Sequence, residues 1–282
     1  MPSGHAVVRP NRQRRRRNGK SDPADADAAA SAVLSGDAAA IPKAGDGDVE
    51  MIRMLRIARK SAVKSRTQAI NAMKALIVTA PSELREALPQ ARRSVKRLVQ
   101  VCAAFRPGAL SHPLAACKLA LRSLARRCQA LETEIAELDA ALEALVQRAA
   151  PQLISHFAVG TETAATLLVI AGDNPERLHS DAGFSSLCGA SPVEASSGQV
   201  VRHRLNRGGN REANAALHRI VLVRLRWHQP TRDYVERRTK EGLSKREIMR
   251  CLKRYVAREV YGALCRTTAD GEVPANAVPH IT

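Results

Sequence analysis

Two aspartates three residues apart are the first candidates for chemistry. Asp22 and Asp25 lie in "KSDPADADAA", directly after an arginine run. Carboxylates at positions i and i+3 share one face of a helix, and both could reach Mg²⁺, which prefers oxygen ligands. The alternative is a plain helix start, with Asp22 as the N-cap, Pro23 at the first helical position and Asp25 in the first turn. A phosphoryl-transfer site needs three or four carboxylates, so this pair alone does not complete one.

Two adjacent serines are the second candidates. Ser196 and Ser197 lie in the stretch 189–210, which is rich in glycine and small polar residues and predicts an ordered loop with a small hairpin. A serine hydroxyl there could attack a phosphodiester, because cationic groups nearby would stabilise the developing charge. Those groups are Arg202, His203, Arg204, Arg207 and Arg211. The alternative is that both serines only form a turn. The spacing does not select one serine over the other.

Histidines are the third candidates, at His156, His203 and His218. None has a recognisable metal-ligand spacing, so packing or phosphate contact is the simpler interpretation of each. The six cysteines include no C-x-x-C pair, which predicts reduced core residues of a cytoplasmic protein.

Helical periodicity dominates the elements that must position these residues. The pattern predicts helices at 22–34, 181–188, 211–227 and 231–242, and a long helix that follows the "GDGD" link at 45–48 and runs to about residue 79. A last helix opens at "SKRE", residues 244–247, with a capping box. One stretch repeats apolar residues in steps of three and four, which predicts a coiled-coil seam within or between chains. Its positions are Leu114, Cys117, Leu121, Leu124, Cys128, Leu131, Ile135, Leu138, Leu142 and Leu145. A helical pair with a turn at Val159 and Gly160 resembles a helix-hairpin-helix, whose turn amides can hold a DNA phosphate.

Charge points to a polyanionic partner. The chain has 45 Lys and Arg against 27 Asp and Glu, a net charge of +18. Residues 9–20 carry seven basic residues and no acidic one, and Arg14, Arg15, Arg16 and Arg17 are consecutive. Nucleic acid is the commonest partner of such a surface. No segment approaches a membrane-spanning length, and the first residues lack the apolar core of a signal peptide.

The order of motifs resembles one family of bacterial mobile-element enzymes. "RRRRNGKSDPADADAAASAVL" resembles the end of the catalytic domain in the DEDD transposases of the IS one-ten family. "HFAVGTETAATLLVIAGD", "FSSLCGASPVEASSG" and "RHRLNRGGNREANAALHRIVLVR" resemble the carboxy-terminal domain of that family. The resemblance runs from about residue 6 to residue 262.

This resemblance implies a DNA recombinase with an amino-terminal domain similar to RNase H and Holliday-junction resolvases. It implies Mg²⁺ held by Asp, Glu, Asp and Asp, of which the last two map onto Asp22 and Asp25. The nucleophilic serine maps onto "SSG", as Ser196 or Ser197. The resemblance also implies a structured guide RNA and a coiled coil that joins the amino-terminal domain to the domain with the serine. Through the coiled coil we also expect a homo-oligomer. The strands that carry the first two acids have no counterpart ahead of Arg9, so we expect a truncated reading frame that is inactive alone.

Together these observations predict a mainly α-helical protein. We expect a remnant of the catalytic domain with its basic arm at 1–47, a helical and coiled-coil region at 48–150, a helical transposase domain at 151–265, and a disordered tail at 266–282. The alternative function is a non-catalytic, coiled-coil protein that binds nucleic acid. DNA binding is assigned to the four consecutive arginines and to Gly160, Arg202, Arg204, Arg207 and Arg211.

Overall fold

A computed structural model describes residues 22–35, 43, 45–88, 93–173, 178–196 and 203–269. Within these ranges the chain is mainly helical, which confirms the predicted fold class. Its helices are α1 Asp22–Leu34, α2 Asp48–Thr79, α3 Ser82–Ala87, α4 Val95–Ala103, α5 Pro113–Ala149, α6 Pro151–Ser155, α7 Thr161–Ala171, α8 Asp181–Leu187, α9 Arg211–Trp227, α10 Gln229–Lys240 and α11 Lys245–Ala269. Between α8 and α9, strands β1 Val193–Glu194 and β2 His203–Arg204 pair antiparallel.

Local signals in the sequence account for several helix starts. The side chains of Ser180 and Asn210 accept hydrogen bonds from the first turns of α8 and α9. Before α11, the backbone N–H of Ser244 donates to Glu247 Oε2 at 2.9 Å, and the N–H of Glu247 donates to Ser244 Oγ at 3.4 Å. These bonds form the predicted capping box, and they satisfy amides that a helix start would otherwise leave unpaired.

The described residues form two compact units. One, the hairpin unit, runs from Ile52 to Leu145. The other, the split unit, comprises the described residues up to Met51 and from Val146 onward. The hairpin unit is therefore inserted in sequence into the split unit. No helix among the described residues is apolar over enough length to cross a membrane.

In the hairpin unit, α2 and α5 run in opposite directions. Arg59 on α2 pairs with Asp139 on α5, and Arg66 Nη1 lies 3.5 Å from Glu132 Oε1. Residue numbers rise along α2 while those of their partners fall along α5, which defines an antiparallel pair. The chain thus supplies its own partner for the predicted coiled-coil helix.

The apolar stripe of α5 is wider than its buried seam. Four of the predicted seam positions are buried, namely Leu121, Cys128, Ile135 and Leu142. The alternating positions are only half-buried, namely Leu124, Leu131, Leu138 and Leu145. The buried seam instead includes Ala125, on the flank where Glu132 and Asp139 pair with α2. Helix α5 is therefore rotated relative to the predicted seam, and one row of leucines lies at its edge.

Helices α3 and α4 contribute to the apolar core of the hairpin unit. Met73 and Ile77 of α2 join Leu84 of α3, Leu98 of α4 and Leu121 of α5 in one core cluster, all at most 3% exposed. Burial of these side chains from water is the main stabilising contribution here.

In the split unit, α9 packs against α7 and α11, and α8 packs against α11. Leu167, Leu217, Ile220 and Val256 are buried at these contacts. The start of α2 belongs to this unit as well, because Arg148 Nη2 lies 2.7 Å from Asp48 Oδ1 and the Val49 N–H donates to Asp173 Oδ1 at 2.8 Å.

Candidate nucleic-acid interface

A short β-hairpin carries one of the candidate serines. Val193 pairs with Arg204, and Glu194 pairs with His203. Ser196 comes two residues after the end of β1 and is exposed. The hairpin therefore presents Ser196 at the start of the loop between its strands.

Two glycines fix the base of this hairpin. Gly189 has a positive φ of 67°, which favours glycine. A Cβ on Gly209 would lie 2.1 Å from the backbone nitrogen of Gly189, so only glycine allows this close approach. The backbone N–H of Asn210 donates to Leu187 O at 2.7 Å, which ties the start of α9 to the end of α8.

Asn214 holds the same turn from α9. Its Nδ2 donates to the carbonyl of Cys188 at 3.0 Å and to that of Gly189 at 2.9 Å. Its Oδ1 accepts a hydrogen bond from Lys253 Nζ at 2.9 Å. One amide side chain therefore links the turn before the hairpin to α11.

The hairpin, the end of α10 and one face of α11 line a pocket of about 480 Å³. Its cationic lining residues are Arg204, Arg238, Arg250, Lys253, Arg254 and Arg258. Glu247 is the one acidic residue that lines it within the described part of the chain. Such an excess of positive charge in a concave site favours an anionic ligand.

Polar bonds hold several of these arginines in place. Arg254 Nη2 lies 2.8 Å from Asp181 Oδ2, and Arg258 Nε lies 3.1 Å from the same oxygen. Arg250 Nη1 donates to the backbone carbonyl of His203 at 2.9 Å, which fastens β2 to α11. The hydrogen bonds from Arg254 and then from Arg258 hold the pKa of the Asp181 carboxyl below its usual value.

Lys253 differs from its neighbours because it is buried. It is 6% exposed, and Asn214 is its one hydrogen-bond partner among the described residues. Burial, followed by the positive charge of Arg250, lowers the pKa of the Lys253 ammonium. A lysine with this environment in a cleft is a candidate functional residue.

The family model described as "Transposase IS116/IS110/IS902 family" matches residues 150–236. Residues 150–236 are thus similar to a transposase domain of this family. The match confirms the resemblance stated above, and it supports a transposase function that involves DNA. No curated protein matches the chain. The matched residues include the hairpin, both glycines and Asn214, whereas α11 lies beyond the match.

Several predicted site residues fall outside the described part of the chain. These are Arg14, Arg15, Arg16, Arg17, Ser197 and Arg202. Of the remaining arginines, Arg204 lines the pocket, while Arg207 and Arg211 are exposed just before and at the start of α9. The structure thus brings Ser196 and Arg204 onto one hairpin, and it leaves their assigned roles as predictions.

The turn at Gly160 precedes α7 as expected, after the five-residue helix α6. The backbone N–H of Gly160 donates to Thr163 Oγ1 at 3.0 Å. This amide therefore already has an acceptor in the first turn of α7. A phosphate at the turn would have to share it or displace Thr163.

Asp22 and the backbone of Asp25 lie in α1, where the sequence predicted a helix, and Asp22 is exposed. The described side chains include no group of three or more His, Cys, Asp or Glu that could hold a metal ion. Two carboxylates do not by themselves fit a Mg²⁺ site for phosphoryl transfer. The remaining ligands would have to come from another segment or another molecule.

The cationic face of α11, formed by Arg250, Arg254 and Arg258, was not among the predicted sites. Arg250, Arg254 and Arg258 are spaced by four residues, which places them on one side of a helix. That spacing was visible in the sequence, whereas the burial of Lys253 was not. Burial depends on how α9 packs against α11, and no local pattern specifies that contact.

Proposed function

We propose that this transposase binds DNA through the cationic pocket and the surfaces beside it, and that Ser196 acts there as a nucleophile. The observation that carries the proposal is the β1–β2 hairpin, which presents Ser196 and also contributes Arg204 to the pocket. The family match supports the DNA substrate. Ser197 remains the alternative nucleophile.

The proposed reaction is the transfer of a phosphoryl group from DNA to serine. Attack of Ser196 Oγ on phosphorus forms an Oγ–P bond and breaks one P–O bond of the DNA backbone. The serine loses its proton to solvent, and the leaving oxygen takes up a proton to become a hydroxyl. Nearby arginines such as Arg204 would stabilise the negative charge that develops on the phosphoryl oxygens.

DNA binding is tested by its dependence on salt. We expect the logarithm of the affinity to fall linearly with the logarithm of salt concentration, because phosphate contacts release counterions. The Arg204→Gln variant should reduce the magnitude of this slope by about one, the value of a single phosphate contact. A slope near zero would contradict the proposal. Competition by a structured RNA in the same titration tests the guide-RNA prediction.

The serine is tested by strand transfer. Asp22 and Asp25 are the two predicted metal ligands, and two carboxylates do not complete a site for phosphoryl transfer. We therefore expect no strand transfer in Mg²⁺ from this chain alone. Fusion to a segment that supplies the two missing acids should give activity that Asp22→Asn, Asp25→Asn and Ser196→Ala each abolish while DNA binding persists. Full activity of the Ser196→Ala, Ser197→Ala double variant would exclude the serine mechanism and leave the alternative, a non-catalytic nucleic-acid-binding protein.

We also propose that the edge row of leucines on α5 joins two copies of the chain. Leu124, Leu131, Leu138 and Leu145 recur every seven residues and are half-buried, as expected for residues that a second helix could cover. Replacement of Leu131 and Leu138 by glutamate should reduce the mass measured by sedimentation to that of a monomer. Equal masses for parent and variant, both folded, would contradict this assembly.

A further inference from the structure

We propose that the pocket between the β1–β2 hairpin and α11 is a binding site for one phosphate group of a nucleic-acid strand, with Lys253 Nζ and Arg204 as its cationic ligands. The inference rests on the proposed function in that the phosphate is taken to belong to nucleic acid. Nothing in the match to residues 150–236 assigns a role to Lys253, which lies beyond it.

The pocket has more cationic than anionic side chains. Asp181 pairs with Arg254 and Arg258, and Arg250 donates to a carbonyl. Glu247 accepts hydrogen bonds from both the N–H and the hydroxyl of Ser244 and lies 4.0 Å from Arg250, and Arg238 pairs with Glu241. Within the described part of the chain, neither Lys253 nor the side chain of Arg204 has a carboxylate partner. These two cations of the pocket are therefore not neutralised by the residues that the structure describes.

Lys253 has more hydrogen-bond donors than the described residues supply with acceptors. An ammonium has three N–H donors. Among the described residues one of them reaches an acceptor, Asn214 Oδ1. Burial of a charge with unsatisfied donors is unfavourable unless another group pairs with it. A phosphate oxygen would supply both the missing acceptor and the missing negative charge.

Asn214 positions the ammonium group of Lys253. The Nδ2 of Asn214 is fixed by two backbone carbonyls of the Cys188–Gly189 turn, so its Oδ1 must face Lys253. The ammonium is thus held at one place before any ligand arrives. The pocket volume of about 480 Å³ also accommodates more than a bare phosphate. A prepared site of this kind loses little entropy when it binds an anion.

Thymidine 5′-monophosphate, thymidine and inorganic phosphate are suitable probes for the full chain. Isothermal titration calorimetry should detect binding of the monophosphate and of phosphate, and none of thymidine. The Lys253→Met variant should bind the monophosphate at least about tenfold more weakly, since a charged hydrogen bond is lost. Lys245→Met removes the same charge from an exposed position at the start of α11, and it should change the affinity by less than about twofold.

Stability measurements separate a ligand role from a structural one. Because Lys253 is a buried cation among arginines, Lys253→Met should unfold at a temperature no lower than the parent. If Lys253→Met does not fold, Arg204→Gln on the hairpin is the test variant. Arg232→Gln, at an exposed arginine of α10 that does not line the pocket, is its control. Weakened binding for Arg204→Gln and unchanged binding for Arg232→Gln support the site.

Two results would overturn the inference. One is DNA binding by the chain with no binding of the monophosphate or of phosphate, which leaves the proposed function intact. The other is equal monophosphate affinity of the parent, Lys253→Met and Arg204→Gln. If the parent chain shows no salt-dependent DNA binding, the proposed function is refuted instead.

Discussion

Asp181 stands behind the cationic pocket as the carboxylate partner of Arg254 and Arg258. It is also the first residue of α8, where negative charge is favourable. The protein thus uses one carboxylate to hold two guanidinium groups along one face of α11. The ion pairs restrain both arginine side chains beside the pocket, so less conformational entropy is left to lose when a ligand binds.

This ion pair predicts a pH dependence of stability. The pKa of Asp181 is lower in the folded chain than in the unfolded one, chiefly through the hydrogen bond from Arg254. Its contribution is therefore present above the ordinary aspartate pKa and is lost as pH falls through the folded value. We expect Asp181→Asn to unfold at a lower temperature than the parent at neutral pH, with the gap closing on acidification.

Asp233→Asn is the matched control for this measurement. Asp233 is exposed on α10 and accepts a hydrogen bond from Gln229. We expect its substitution to shift the unfolding temperature little at any pH. A gap between the parent and Asp181→Asn that does not change with pH would show that the carboxyl acts through packing and not through its charge.

At the scale of elements, local signals predicted the helices well and their contacts poorly. The capping residues Asn210 and Ser244 mark the starts of α9 and α11, because side-chain caps are encoded within a few residues. Of the seam predicted for α5, one row of positions is buried and the alternating row of leucines is only half-buried. A broad apolar stripe predicts that a helix is buried. The position of α2 decides which flank of the stripe is covered, and α2 lies far from α5 in sequence. The same long-range dependence hid Lys253 from sequence analysis.

The observed seam predicts unequal costs for two leucines on α5. Leu142 is 2% exposed, whereas Leu138 is half-buried at the edge. Leu142→Ala should lower the free energy of unfolding by about 2–5 kcal/mol because it leaves a cavity, and Leu138→Ala should cost clearly less. Chemical denaturation of both variants measures the difference. Equal losses, or a larger loss at Leu138, would favour the seam predicted from the sequence.

At the scale of the whole molecule, each of the two units has its own core. The hairpin unit closes its apolar cluster with residues between Ala69 and Cys128. We therefore expect a fragment of residues 52–145 to fold alone, with strong helical circular dichroism and one cooperative thermal transition. A fragment without helical signal at low temperature would show that the hairpin unit depends on the rest of the chain.

The hairpin unit lies in sequence between the two segments of the split unit, and this order has a consequence for biosynthesis. Val49 reaches its acceptor Asp173 only after 124 further residues have joined the chain. A ribosome releases the hairpin unit first, so its helices can pair while the first turn of α2 still lacks the partners that will cover it. Formation of the pocket must wait longer, until α11 is out. The nascent chain would thus bind phosphate only after Arg258, the last residue that lines the pocket, has left the ribosome.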